Sequence, residues 1–162
     1  MAWMTKGSDG KNPHTTKEVD PIVASAVEYL QEKGFTRIAG VGYCFGAKYV
    51  VRFMSSNLPT GGSGPAIHVG YSAHPSFVEE EELAQIKGPY SISAAETDAI
   101  FPTEKRWKSE EILIKTGNPW QINLLSGVEH GYAVRADLSN KHQKWAKEIA
   151  FQQAVDWIKF HL

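Results

Sequence analysis

The chain has 162 residues, 42% of them hydrophobic, with seventeen basic and eighteen acidic side chains and a net charge of −1. That length suits one domain with a sizeable core. The balanced charge excludes a strongly basic nucleic-acid footprint. No apolar run approaches the roughly 18 residues of a membrane span. Met1 to Lys11 holds no apolar stretch of the kind a secretory signal needs. Cys44 is the single cysteine, so no intrachain disulfide and no cysteine-rich zinc site can form. These features predict a cytoplasmic protein that binds neither nucleic acid nor membrane.

Residues 1–19 are polar and read as a flexible leader, with a domain over 20–162. Asp20-Pro21 predicts a helix start, N-cap then first helical residue, followed by an apolar stripe from Ile22 to Leu30 and a stop at Gly34. Arg37 to Tyr43 suits a buried strand, and residues 45–57 a helix whose Lys48 and Arg52 form its exposed face. Pro59 to Pro65, with Gly61-Gly62-Ser63-Gly64, is expected as a loop without the Gly-Lys-Ser/Thr ending of a phosphate loop. Strands are expected over Ile67–Ala73, Tyr90–Ala95 and Trp120–Leu125. Helices are expected over Glu79–Ile86, with Glu79 to Glu82 as a solvated first turn, and over Pro102–Lys115. Residues 127–142 read as a long loop before a helix over Gln143–Leu162. The alternation predicts an α/β fold, a mainly parallel sheet flanked by helices with right-handed crossovers. Ligands of such sheets bind at the carboxyl ends of the strands.

The residues at those ends carry chemistry. Gly42-Tyr43-Cys44-Phe45-Gly46 is G-x-C-x-G at a strand-to-helix junction, a nucleophile elbow with cysteine in the serine position. Small flanks allow the tight turn, and the following helix dipole favours a thiolate. The alternative is a small buried hydrophobe. Asp98 follows the third predicted strand, with Glu96 as a nearby competitor and a turn aspartate as the plain reading. His130 stands between Glu129 and Gly131 after the fourth. The chain order nucleophile, acid, histidine is that of α/β-hydrolases. In that reading His130 takes the thiol proton, Asp98 orients the imidazole, and the Phe45 N–H is one oxyanion donor. His74 ends a strand and is a candidate pocket residue or turn residue. Arg135 is a candidate for a substrate carboxylate. His68 reads as a packing residue, and His14, His142 and His161 as solvated.

At these residues the sequence resembles the dienelactone hydrolase family, its fungal members above all. The likeness rests on Gly42 to Gly46, His74-Pro75-Ser76-Phe77, Glu96 to Pro102 and Gly127 to Arg135, and runs from about Asp20 to Leu162. It implies an α/β-hydrolase fold, a Cys-Asp-His triad on Cys44, Asp98 and His130, and hydrolysis of a carboxylate-bearing lactone without metal or organic cofactor. Arg135 matches the family's carboxylate-binding arginine, one residue further from the histidine than in the bacterial pattern. Ala47 stands where the motif usually has a second glycine. Complete members carry several strands before the elbow, so the resemblance implies an N-terminally shortened chain. The exposed sheet edge that follows would be covered by residues 1–19 or by a second copy, a homodimer.

Three functions compete at this point. The first is a cysteine-dependent hydrolase of a small ester or lactone, working through a thioester. The second is a catalytically silent hydrolase-like binding protein. The third, a dinucleotide-binding oxidoreductase, fails because Gly40-x-Gly42-x-x-x-Gly46 has the wrong spacing and no acidic residue follows about 20 positions on.

Overall fold

A computed structural model describes residues 2–58, 61 and 64–162. Part of the expected loop between Pro59 and Pro65 therefore lies outside the described residues. The elements in chain order are α1 (Ala2–Lys6), α2 (Thr16–Glu32), β1 (Ala39–Tyr43), α3 (Gly46–Phe53), β2 (Val69–Ala73), α4 (Glu80–Leu83), β3 (Tyr90–Thr97), α5 (Thr103–Thr116), β4 (Trp120–Glu129), α6 (Tyr132–Arg135) and α7 (Lys141–His161).

The four strands form one sheet in the order β1-β2-β3-β4, every pair parallel. Val41 pairs with Tyr71, Tyr71 with Ser91 and Ser91 with Gln121, so all four strands point their carboxyl ends the same way. Side chains alternate across the sheet, and the two faces differ. Val50, Val51 and Phe53 of α3, with Met54 capping its end, pack with Ile92 of β3 and with Ile112 and Leu113 of α5. The opposite face joins Tyr71, Ala73, Ala95 and Leu125 to Ala146, Ala150 and Ala154 of α7. Alanines one turn apart let α7 approach closely, and the Tyr71 hydroxyl donates to the Ala150 carbonyl at 2.7 Å. Gln153 is a polar residue on the buried face of α7. It is buried because its amide donates to Ser91 Oγ at 2.8 Å and to the Ile92 carbonyl at 3.1 Å.

Several sequence expectations need correction. Helix α2 starts at Thr15, not Asp20, because Thr15 and Glu18 form a capping box. Pro21 then sits inside the helix, and Asp20 is released to pair with Arg52. Part of the segment read as a leader is thus helical, in α1 and in the first turn of α2. The segment 127–142 is not one loop: β4 continues to Glu129, α6 follows, and α7 begins at Lys141. A register shift between Ala95 and Thr97 lets β4 carry extra residues there, with Gly127 at φ 65. Lys48 and Arg52 are not an exposed face. Lys48 is buried and bonds Glu82 Oε2 at 2.9 Å, while Arg52 bonds Glu82 at 2.6 Å and Asp20 at 2.5 Å. Glu82 therefore leaves the solvated turn expected of it and ties α4 to α3.

Candidate active site

Cys44 follows the last residue of β1 with φ 51, in the left-handed region that side chains rarely adopt. The turn is tight enough that a Cβ on Gly42 would lie 2.6 Å from the Gly46 carbonyl carbon and oxygen. Gly42 is therefore required by close approach, whereas a Cβ on Gly46 would meet nothing within 4 Å. The Cys44 N–H donates to the Ala73 carbonyl at 3.1 Å, which ties the elbow to the end of β2. Phe45 opens α3, its ring packed between Trp3 at 5.1 Å and Tyr49 at 5.0 Å. Among the described residues, no acceptor takes the Phe45 N–H.

The loops after β3 and β4 deliver an acid and a base. Asp98 is buried, and its Oδ1 accepts from the Ile100 and Phe101 N–H groups at 2.8 and 2.9 Å. Its Oδ2 stands 2.7 Å from His130 Nδ1. The other ring nitrogen, Nε2, stands 3.1 Å from Cys44 Sγ. The His130 N–H donates to the Thr97 carbonyl at 3.0 Å, so the bulged end of β4 aims the ring back across β3. Glu96, the competing acid, is used elsewhere: its carboxylate accepts the Gly127 N–H at 2.7 Å and stabilises the bulge. Asp98 as acceptor assigns the Nδ1–H tautomer to His130, which leaves Nε2 free to accept a proton from sulfur. Sulfur, imidazole and carboxylate thus stand in one continuous hydrogen-bonded line.

The loop after β2 lies beneath this path. His74 is 1% exposed with φ 39, and neither ring nitrogen has a partner among the described residues. Its ring stands edge-on to the His130 ring at 4.9 Å. Burial first, and then the neighbouring His130, push its pKa down to about 4. Two residues on, Ser76 is also 1% exposed, and its Oγ stands 3.3 Å from Cys44 Sγ. Sequence reasoning passed over Ser76, because a serine after His-Pro reads as a plain turn residue. Phe77 completes the loop at φ 61, its carbonyl accepting from Lys48 Nζ at 2.9 Å.

Arg135, at the end of α6, is exposed, and its guanidinium lies against Gly131 so closely that a Cβ there would collide with it. It has no ion-pair partner among the described residues. A largely apolar cleft of about 110 Å3 lies between α4, α5 and the sheet, with Phe77, Leu83, Ile92 and Phe101 in its walls. Neither Cys44 nor His130 lines it. Among the described residues, no group of three or more His, Cys, Asp or Glu side chains could hold a metal ion. No helix among them is long and apolar enough to cross a membrane.

A family profile described as the dienelactone hydrolase family matches residues 5–162. The chain is 45% identical over 150 residues to the hydrolase pyvD of Aspergillus violaceofuscus, covering 92% of this chain and 58% of that protein. It is 47% identical over 154 residues to the hydrolase tropI of Talaromyces stipitatus, covering 94% and 57%. The chain thus spans little more than half the length of these curated relatives. Among solved structures, a putative dienelactone hydrolase from Klebsiella pneumoniae superposes with a TM-score of 0.68 at 11% identity, over 87% of this chain and 60% of that one. A carboxylesterase from Lactobacillus plantarum does so with 0.65 at 12% identity, over 85% and 65%. These likenesses place the four-stranded sheet and its helices in a shortened α/β-hydrolase fold.

Proposed function

The chain belongs to the dienelactone hydrolase family, and from that membership we propose that it is a cysteine-dependent hydrolase of a small ester or lactone. The observation that carries this reading is the unbroken line from Cys44 Sγ to His130 Nε2 at 3.1 Å and from His130 Nδ1 to Asp98 Oδ2 at 2.7 Å. Both contacts are within hydrogen-bond reach, as a nucleophile and its base require.

His130 takes the thiol proton, and the sulfur attacks the carbonyl carbon of the ester or lactone. Charge moves to the carbonyl oxygen, where the free Phe45 N–H is the first donor to meet it. One such donor contributes roughly 2.7–4 kcal/mol to the transition state. Collapse breaks the bond to the alkoxide, which takes the proton held by His130. A thioester on Cys44 remains. Water, deprotonated by His130, then cleaves the thioester, releases the carboxylic acid and restores the thiol. Asp98 fixes the ring tautomer and stabilises the imidazolium throughout. No step requires a metal or an organic cofactor.

Arg135 ends the short helix α6 that follows His130, and its guanidinium has no ion-pair partner among the described residues, which suits a substrate with its own carboxylate. A lactone carrying a carboxylate, such as dienelactone, fits this requirement better than a neutral ester. The test is the initial rate on a small activated ester and on dienelactone, for wild type and Cys44→Ala. We expect Cys44→Ala to lose about ten-thousand-fold in rate while staying folded. Equal rates for the two proteins would remove Cys44 from the chemistry. No rate for either would favour a silent hydrolase-like protein.

A further inference from the structure

We propose that Ser76 is a further catalytic residue, whose hydroxyl donates to the Cys44 sulfur and holds it as the thiolate that attacks. The inference rests on the reading of Cys44 as nucleophile and adds a partner to it.

Geometry gives the direction of the hydrogen bond. Ser76 Oγ and Cys44 Sγ are 3.3 Å apart, within the range of a bond to sulfur. Nδ1 of His130 faces Asp98 and carries the ring proton of the neutral imidazole, so Nε2 is the acceptor for the thiol proton. One thiol proton cannot serve both Nε2 and Ser76. The Ser76 hydroxyl is 1% exposed and has no other acceptor among the described residues. Its proton therefore points at sulfur. A buried hydroxyl without an acceptor would be costly, so this contact is the one that satisfies it.

The contact strengthens when charge develops. A thiol is a weak acceptor and a thiolate a strong one, and bonds to ionised groups are roughly twice as strong as neutral ones. The Ser76 hydroxyl thus favours the reactive form over the resting form, which is the kind of interaction that raises a rate. It acts again when the thioester breaks and sulfur departs as a thiolate.

The surroundings fix Ser76 in place. Its own N–H donates to the Cys44 carbonyl at 3.0 Å, which clamps the loop after β2 onto the elbow. Upstream, the His74 N–H donates to the Ser93 carbonyl at 2.8 Å, and downstream Lys48 holds the Phe77 carbonyl. The titratable and charged groups around the sulfur are His130 with Asp98 behind it, His74 with its ring against His130, and Arg135 at Gly131. Ser76 adds a donor that carries no charge and does not titrate in the working range.

The experiment is the pH profile of iodoacetamide alkylation of Cys44 in the full chain, followed by intact mass, for wild type, Ser76→Ala and Ser76→Thr. Alanine fits within the volume of serine, and thermal melts check that the variants are folded. In wild type we expect fast alkylation at pH 6, faster than that of a free cysteine peptide. In Ser76→Ala alkylation at pH 6 slows about tenfold while the rate above pH 9 is unchanged. Threonine, which keeps the hydroxyl, restores the wild-type rate at pH 6. A Ser76→Ala profile that coincides with a fast wild-type profile would overturn the role of Ser76 and leave Cys44 as nucleophile. Equal slowing of both variants at every pH would also overturn it, in favour of packing alone. Wild-type alkylation at pH 6 no faster than that of a free cysteine peptide would overturn the reading of Cys44 itself.

Discussion

The loops that follow β1 and β2 meet at one sulfur atom, and each holds side-chain-bearing residues in the left-handed region: Cys44 at φ 51 in the first, His74 at φ 39 and Phe77 at φ 61 in the second. They are held there by different means. The first is set from within, by the absence of a side chain at Gly42 where the Gly46 backbone comes close. The second has no glycine and is held from outside. Ser93 and Cys44 carbonyls take its N–H groups, and Lys48 takes the Phe77 carbonyl. Strain of this kind, of order 1–3 kcal/mol per residue, persists where surrounding contacts over-determine the backbone. The comparison teaches that a strained loop can be written in one glycine or in a set of distant partners.

Breaking each loop at its own support separates the two cases. Gly42→Ala should have the largest effect. Its Cβ would sit 2.6–2.7 Å from the backbone of Gly46 and Ala47, which cannot give way as a flexible side chain could. We expect a stability loss of about 3 kcal/mol, read as a drop in denaturation midpoint, together with loss of Cys44 alkylation at neutral pH. Gly46→Ala is the matched control in the same pentapeptide. With nothing within 4 Å of its Cβ, it should change stability by less than about 1 kcal/mol.

Glu82→Ala attacks the second loop from behind. It leaves Lys48, 8% exposed in its side chain, and Arg52 without a shared carboxylate. Removing one partner of a buried ion pair costs about 3–5 kcal/mol when burial is complete. With Glu82 15% exposed, we expect about 2 kcal/mol. The decisive readout is local. Hydrogen exchange should rise over the loop from His74 to Phe77 and stay unchanged at β1.

His74 gives the sharpest pH test. Its folded pKa is lowered to about 4 by burial, from a reference of about 6.5. The unfolded chain therefore binds one more proton than the folded chain between those values. This contribution to stability is constant above about pH 6.5 and is lost as pH falls toward 4, by up to about 3 kcal/mol. His74→Phe, which cannot take that proton, should flatten this part of the profile. Parallel stability curves for the two proteins between pH 7 and pH 4 would contradict the account of His74.

How much was legible in the sequence follows the same division. That Cys44, Asp98 and His130 come together was legible because each follows a predicted strand and because the glycines near Cys44 and His130 mark sharp turns. The loop after β2 gave no such mark, since its supports lie on α3, α4 and β3, far away in sequence. Ser76 therefore does not stand out in the sequence, and Lys48, Arg52 and Glu82 look solvated there although they form a partly buried ion-pair network. The start of α2 carries two competing signals in the sequence. Thr15 and Glu18 spell a capping box, which wins over the Asp20-Pro21 pair because it satisfies two end N–H groups of the helix. The length of β4 was not legible, because Gly127 looks like a loop glycine until the bulge gives it a position within the strand.

The most direct test of the central claim is to quench the full chain during turnover of an activated acetyl ester and map the acetyl group by peptide mass spectrometry. The account predicts one acetyl group, on the peptide holding Cys44, and none after Cys44→Ala. An acetyl group on Ser76, or turnover that persists in Cys44→Ala, would contradict it.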